Sequence, residues 1–218
     1  SAFGQWQSVP STVIKFEEAG LVPAGRDINV NDNTNLVYWA KTSTRVNGNL
    51  DDISGLLGAC FTLYSASNTL KQFDIVLNGV EQDWFTDFND VYNTNAFFAE
   101  GELCHEIGHA LGVRHAPMGG ATMSYIGYPG MDSLVGLSGD DAAFARALYS
   151  SGNSLTNLAH LKGTVTTKSG VKVLGAVVVV EGATNGNLAG ATLTLTNGTY
   201  TLNALPPGNY NVRVVPLD

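Results

Sequence analysis

Residues 105–115 read His-Glu-Ile-Gly-His-Ala-Leu-Gly-Val-Arg-His, and each fixed position in that run has a physical task. Successive residues of an α-helix turn by about 100°, so His105 and His109, four apart, share one face, one turn above the other. Two imidazoles at that spacing reach one metal ion. Glu106 stands beside the same face, displaced enough to miss the metal yet near enough to hold a water bound to it, which is the placement of a general base. Gly112 tolerates positive φ and can end the helix in a left-handed turn that carries the chain back toward the metal. His115 then supplies a third nitrogen. Three neutral imidazoles leave the fourth tetrahedral position open to water, the mark of a catalytic rather than a structural zinc. A zinc ion is expected there. The only other histidine is His160, so the imidazoles are concentrated in the motif.

Around this run the hydrophobic pattern defines the elements that must position it. Ala2, Phe3, Trp6 and Val9 recur at helical spacing up to Pro10. Thr12–Phe16, Leu36–Ala40, Leu57–Tyr64 and Phe73–Asn78 read as strands, the last with Phe73, Ile75 and Leu77 alternating with more polar neighbours. Helical patterning resumes near Asn95 and carries Phe97, Phe98, Leu103 and Ile107 into the histidines. Residues after His115 are rich in Gly, Pro and Tyr and read as irregular. Ser138 can cap a further helix, with Asp141 in its positively polarised first turn and Phe144, Leu148 and Tyr149 on an apolar face. That helix closes a first domain near Ser150.

Composition narrows the function classes. The chain has 218 residues and a net charge of -8, so polyanion binding has no electrostatic support and nucleic acid is excluded as an expected partner. Charged residues make up only 14% of the chain, a balance that fits a secreted or cell-surface protein. No run is long enough to span a membrane, and Val177–Val180 reads as a buried strand. Cys60 and Cys104, the only cysteines, can form at most one bridge, and a packed thiol at Cys104 is the other reading. Helix geometry turns Cys104 away from the metal. Asp51, Asp52, Asp83, Asp87 and Asp90 are candidate calcium ligands, although their spacing matches no EF-hand loop and solvated carboxylates are the default.

The long histidine signature resembles that of the metzincin metallopeptidases, and Ala121-Thr122-Met123-Ser124-Tyr125 is similar to their Met-turn. Within the clan the chain most resembles the bacterial matrixin-like proteases. The resemblance rests on Ala2–Trp6 followed by Ile14–Phe16, on Gly55–Phe61, on Phe73–Ile75 with Trp84, and on Leu137–Asp141 through Leu148–Tyr149. It implies an α+β zincin-like catalytic domain over residues 1–150, with a twisted mixed sheet and an active-site helix. It also implies a strand ahead of the first helix, for which this sequence holds no counterpart. Met123 would underlie the zinc site. Tyr125, two residues on, stands where a tyrosine joins the zinc shell in astacin-like and serralysin-like metzincins. It is read as a fifth ligand, as an oxyanion hydrogen-bond donor, or as ordinary packing. Leu57, Gly58 and Ala59 would form the upper rim that binds substrate, and Tyr128 with Pro129 would wall the pocket for the side chain after the scissile bond.

Residues 151–160 read as a linker. From Leu161 to Asp218, short β-rich runs separated by Gly and Asn turns suggest a small all-β sandwich. Lys162–Val165, Gly175–Val179, Gly198–Leu202 and Leu205–Tyr210 resemble the carboxypeptidase regulatory-like, or transthyretin-like, domain, which is expected to extend past Asp218. The two halves together imply a zinc endopeptidase that takes an extended protein or peptide substrate. The reading from a different class is a binding or adhesion module with a non-catalytic zinc domain, against which the intact Glu106 and the three-histidine site argue.

Overall fold

The structure is a computed structural model and describes residues 1–87, 95–116, 118–119, 121–130, 136–150, 152 and 157–215. Contacts divide the chain into two compact units that interleave in sequence. The first comprises Ser1–Gly4, Phe16–Arg114 and Gly127–Val135, and the second Gln5–Lys15, His115–Ile126 and Gly136–Asp218. Among the described residues no helix is long and apolar enough to cross a membrane.

The chain opens with helix α1, Ala2–Gln7, in which Ala2 and Trp6 are buried. In the first unit follow β1 (Leu36–Ala40), β2 (Arg45–Val46), β3 (Asp51–Asp52), β4 (Gly58–Tyr64), β5 (Leu70–Asn78), β6 (Trp84–Phe85), β7 (Phe97–Phe98) and helix α2 (Ala99–Ala110). Its principal sheet has the order β1-β5-β4, with β1 parallel and β4 antiparallel to β5. The sheet is therefore mixed, with β4 at one edge. Alternation within β5 predicts one polar face, but Gln72 through Asn78 are buried without interruption. A central strand covered on both faces must satisfy its polar side chains internally. Asp74 does so by accepting from the N–H groups of Asn29 and Leu36, and Gln72 by donating to the carbonyl oxygens of Asn29 and Thr34.

Ile28, Ala40, Val46, Ile53 and Val76 form a core cluster, with Tyr38, Ala59 and Phe61 packed against it. Trp84 donates its indole N–H to the carbonyl of Asn78 and meets Trp39 edge-on at 5.1 Å.

Two expectations from periodicity need correction. Thr12–Phe16 is not a strand: only Thr12 makes a bridge, to Ser150, while Val13 is 63% exposed. Phe16 turns its ring toward Phe3 and Phe73 instead, so the β-branched residues have no partner strand to exploit their propensity. Phe97 and Phe98 lie outside the helix, paired in parallel with Trp84 and Phe85. Aromatic contacts of both residues across that pair, at 6.0 and 5.2 Å, override the helical spacing.

The second unit contains helix α3 (Gly139–Tyr149) and strands β8 (Ala159–Thr164), β9 (Val177–Gly182), β10 (Leu188–Leu193), β11 (Thr199–Leu205) and β12 (Tyr210–Val215). Ser138 caps α3 in a capping box with Asp141. The expected apolar face is displaced: Leu148 is exposed, and Asp141, Ala143, Ala145 and Arg146 are the buried residues of the helix. All strands here are antiparallel, in the sheets β10-β9-β12 and β11-β8. Val180, Leu202 and Leu205, with Leu161, Ala189 and Tyr210, form one cluster drawn from both sheets, the shared core of a small all-β domain. Strand β8 begins at Ala159, inside the span read as linker, of which residues 151 and 153–156 lie outside the described residues.

Candidate metal centre and active site

Helix α2 begins without a side-chain cap, but Glu100 and Glu102 in its first turn complement the positive end of the helix dipole. Its other end is built with more definition. Gly112 adopts φ +90°, and the N–H groups of Gly112 and Val113 donate to the carbonyl oxygens of His109 and Gly108 at 2.9 Å each. These paired bonds form a Schellman motif, which satisfies the terminal carbonyls as the chain reverses. The motif also places the carbonyl of Val113 2.8 Å from Nδ1 of His109. With Nδ1 as donor, Nε2 keeps its lone pair, the state a metal ligand requires.

His105 and His109 lie with ring centroids 4.7 Å apart and nearly perpendicular planes. One ligand atom from each of His105, His109 and His115 falls within 4.8 Å of the others. His105 is buried, His109 half-buried and His115 exposed, so the trio grades from the core to solvent. Among the described residues this is the one group of three or more His, Cys, Asp or Glu side chains placed to share an ion.

Glu106 follows the first of these histidines and is 3% exposed, yet its Oε2 has no hydrogen-bond partner. An orphaned buried carboxylate oxygen is costly unless a ligand or water completes it. Three imidazoles with an unsatisfied carboxylate beside them fit a zinc ion and its water by donor chemistry. Burial pushes the Glu106 carboxyl well above its ordinary range, and the charge and hydrogen bond of Glu102, one helical turn earlier, push it in the same direction. Glu102 is itself buried, so α2 stacks two buried carboxyl groups one helical turn apart.

Strand β4 provides the roof. A Cβ added to Gly58 would stand 3.1 Å from Oε1 and 3.2 Å from Cγ of Glu106, so the absent side chain lets the edge strand lie directly against that carboxyl group. Cys60, two residues along, has its thiol pushed far up by burial and then by the charge of Glu106. Neither Cys60 nor Cys104 is in a disulfide. Leu57 precedes β4 and packs so closely on Gly127 that a Cβ there would come within 2.5 Å of Leu57 Cδ1. Leu57 and the segment that carries Tyr128, which is 53% exposed, thus adjoin within the first unit.

The described residues beside His115 make their contacts within the second unit. Ala116, next to His115, donates its N–H to the carbonyl of Met123 at 2.7 Å, and Ala116 and Ser124 form a parallel bridge. Ser124 N–H closes a turn on the carbonyl of Ala121, and Thr122 and Met123 have no exposed surface. Asp141 of α3 accepts from the N–H of Thr122 at 3.1 Å, and the Thr122 hydroxyl donates to the carbonyl of Gly136. Tyr125 is 69% exposed, with its ring 6.4 Å from that of His115.

Sequence reasoning singled out the three histidines, Glu106, Met123 and Tyr125, but missed Glu102, Asp141 as an anchor for Thr122, and the Val113 carbonyl. The i, i+4 spacing of Glu102 and Glu106 on one helix was a usable signal for the first; the other two depend on tertiary approach. Among the carboxylates considered for calcium, Asp52 accepts from Ser54 and Arg45 and Asp51 from the side chain of Asn47. Asp83 and Asp87 are exposed, and Asp90 lies outside the described residues.

The matrixin family matches residues 1–150, and the carboxypeptidase regulatory-like domain family matches residues 160–217. Comparison with curated proteins finds no match.

Proposed function

Because the chain belongs to the matrixin family of zinc metallopeptidases, we propose that it is an endopeptidase in which Glu106 is the general base and His105, His109 and His115 hold a single zinc ion. The observation that carries this reading is the convergence of three imidazole ligand atoms within 4.8 Å, together with a buried Glu106 whose Oε2 lacks a partner. Zinc, when bound there, supplies Lewis acidity that lowers the pKa of a water and polarises the scissile carbonyl.

Glu106 takes a proton from the attacking water as its oxygen adds to the peptide carbon. It then delivers that proton to the amine nitrogen as the C–N bond breaks. The Val113 carbonyl keeps the His109 ring in the tautomer that leaves Nε2 free to ligate. Met123 would support the ligand set, and Tyr125, whose ring lies 6.4 Å from that of His115, would donate a hydrogen bond to the developing oxyanion. An extended peptide adds alongside β4 through the backbone groups of Gly58 and Ala59, as edge strands accept a further strand. Leu57 and Tyr128 contact its side chains.

Cleavage of a peptide library by the zinc-loaded protein, abolished by a chelator and restored by zinc, tests the proposal. Stoichiometric zinc binding with no cleavage would favour the binding or adhesion reading instead.

A further inference from the structure

Gly139 opens α3, and the space its side chain would occupy is filled by the backbone of β10. A Cβ at Gly139 would stand 2.3 Å from the carbonyl oxygen of Leu188 and 2.8 Å from Cα of Ala189. The next residue, Asp140, accepts a 2.7 Å hydrogen bond from the N–H of Ala191. Farther along the helix, Nε of the buried Arg146 donates to the carbonyl of Ala204 at 3.2 Å. Ala204 is fully buried on β11 and holds φ +59°, a conformation that costs a non-glycine residue free energy and persists only where its surroundings impose it. The β domain thus meets α3 through main-chain groups of two strands, with no room for a side chain at Gly139.

The same helix start faces the metal-ligand loop. Asp141, adjacent to Asp140, holds the N–H of Thr122, and Thr122 precedes Met123, whose carbonyl holds Ala116 next to His115. Two successive carboxylates therefore hold Ala191 of β10 on one side and Thr122 on the other. All of these residues belong to one compact unit.

We infer that the C-terminal β domain is a positioning element for the third metal ligand: its contacts with Gly139, Asp140 and Arg146 hold the start of α3, and through Asp141 the loop that carries His115. The inference rests on the peptidase reading only in taking His115 as a zinc ligand. It makes the β domain part of the metal site's support rather than an appended binding module.

The test compares Asp140→Ala, which removes the acceptor for Ala191, with Asp140→Asn, which retains one, both in the full chain. Zinc affinity by competition with a chromophoric chelator and amide exchange at Ala116 and Thr122 are the readouts. Asp140→Ala should bind zinc about ten-fold more weakly, as loss of outer support typically does, and exchange faster at both amides, while Asp140→Asn keeps the parental zinc affinity and exchanges no faster. Gly139→Val should shift both readouts in the same direction as Asp140→Ala; should it fail to fold, the Asp140 pair decides. A folded Asp140→Ala chain with parental zinc affinity and exchange would overturn the inference, as would equal losses in Asp140→Asn. If the parent cuts no peptide but the two Asp140 variants still separate, the hydrolytic reading fails and the support role stands.

Discussion

Gly58 and Glu106 approach so closely that a methyl group on Gly58 would lie 3.1 Å from the carboxylate Oε1. The absent side chain thus leaves room for the Glu106 carboxyl beneath β4, and under the proposed mechanism a peptide laid along β4 would reach that carboxylate without an intervening side chain. Gly58→Val should push Glu106 aside and lower kcat/KM by about ten- to hundred-fold, since displacements of about 1 Å cost that much. Zinc content should remain stoichiometric. Unchanged turnover with an unchanged peptide set would show that the contact is immaterial.

The positive φ of Gly112 links the helix end to the ligands. An L side chain there is strained by about 1–3 kcal/mol, and relief of that strain would open the turn that sets both His115 and the Val113 carbonyl behind His109. Gly112→Val is therefore expected to lower the melting temperature and to weaken zinc binding together. Isothermal titration with zinc against thermal unfolding of the metal-free chain measures both. Loss of stability alone would separate the turn from the metal site.

Burial raises the carboxyl groups of both Glu102 and Glu106 above their ordinary range. A raised folded-state pKa means that the stabilising contribution is complete below the unfolded value and is lost as pH rises through the folded one. The metal-free protein should thus lose stability between pH 5 and pH 8. Glu102→Gln, which removes one of the two buried charges, should recover stability at pH 8 and change little at pH 5. Denaturant unfolding at the two pH values reads the difference, and an equal effect at both would count against charge burial as its cause.

Asp140 follows the same sign: burial, with the charge of Asp141 adding to it, pushes its carboxyl from 3.8 up to about 6 despite the hydrogen bond from Ala191. Its contribution to stability is complete below about pH 3.8 and is gone above about pH 6. Asp140→Asn keeps an acceptor and cannot ionise, so it should exceed the parent at pH 8 by at most about 3 kcal/mol and converge on it near pH 4. Urea unfolding at both values checks this; a gain independent of pH would contradict it.

The convergence of the three histidines was legible because it is written at short range. Four-residue spacing puts His105 and His109 on one face, and Gly112 marks the turn to His115. Strand β1 was equally clear, preceded by the polar run of residues 31–35. Legibility ended where long-range packing decided. Val13 carries β propensity but finds no ladder, and Phe97 and Phe98 keep helical spacing while pairing with β6. The roof over Glu106 depends on the absence of a side chain at Gly58, and the docking of β10 depends on the same absence at Gly139. Local patterns carry no sign of either, because the atoms that fill those spaces come from distant parts of the chain.

If Glu106 moves the proton while the histidines hold the metal, peptide hydrolysis by the Glu106→Ala chain, read alongside its zinc content, separates the two roles. One zinc per chain with turnover reduced by two or more orders of magnitude, about the contribution of a positioned general base, is the predicted result. Zinc-loaded Glu106→Ala that cleaves peptides at the parental rate would contradict the assignment.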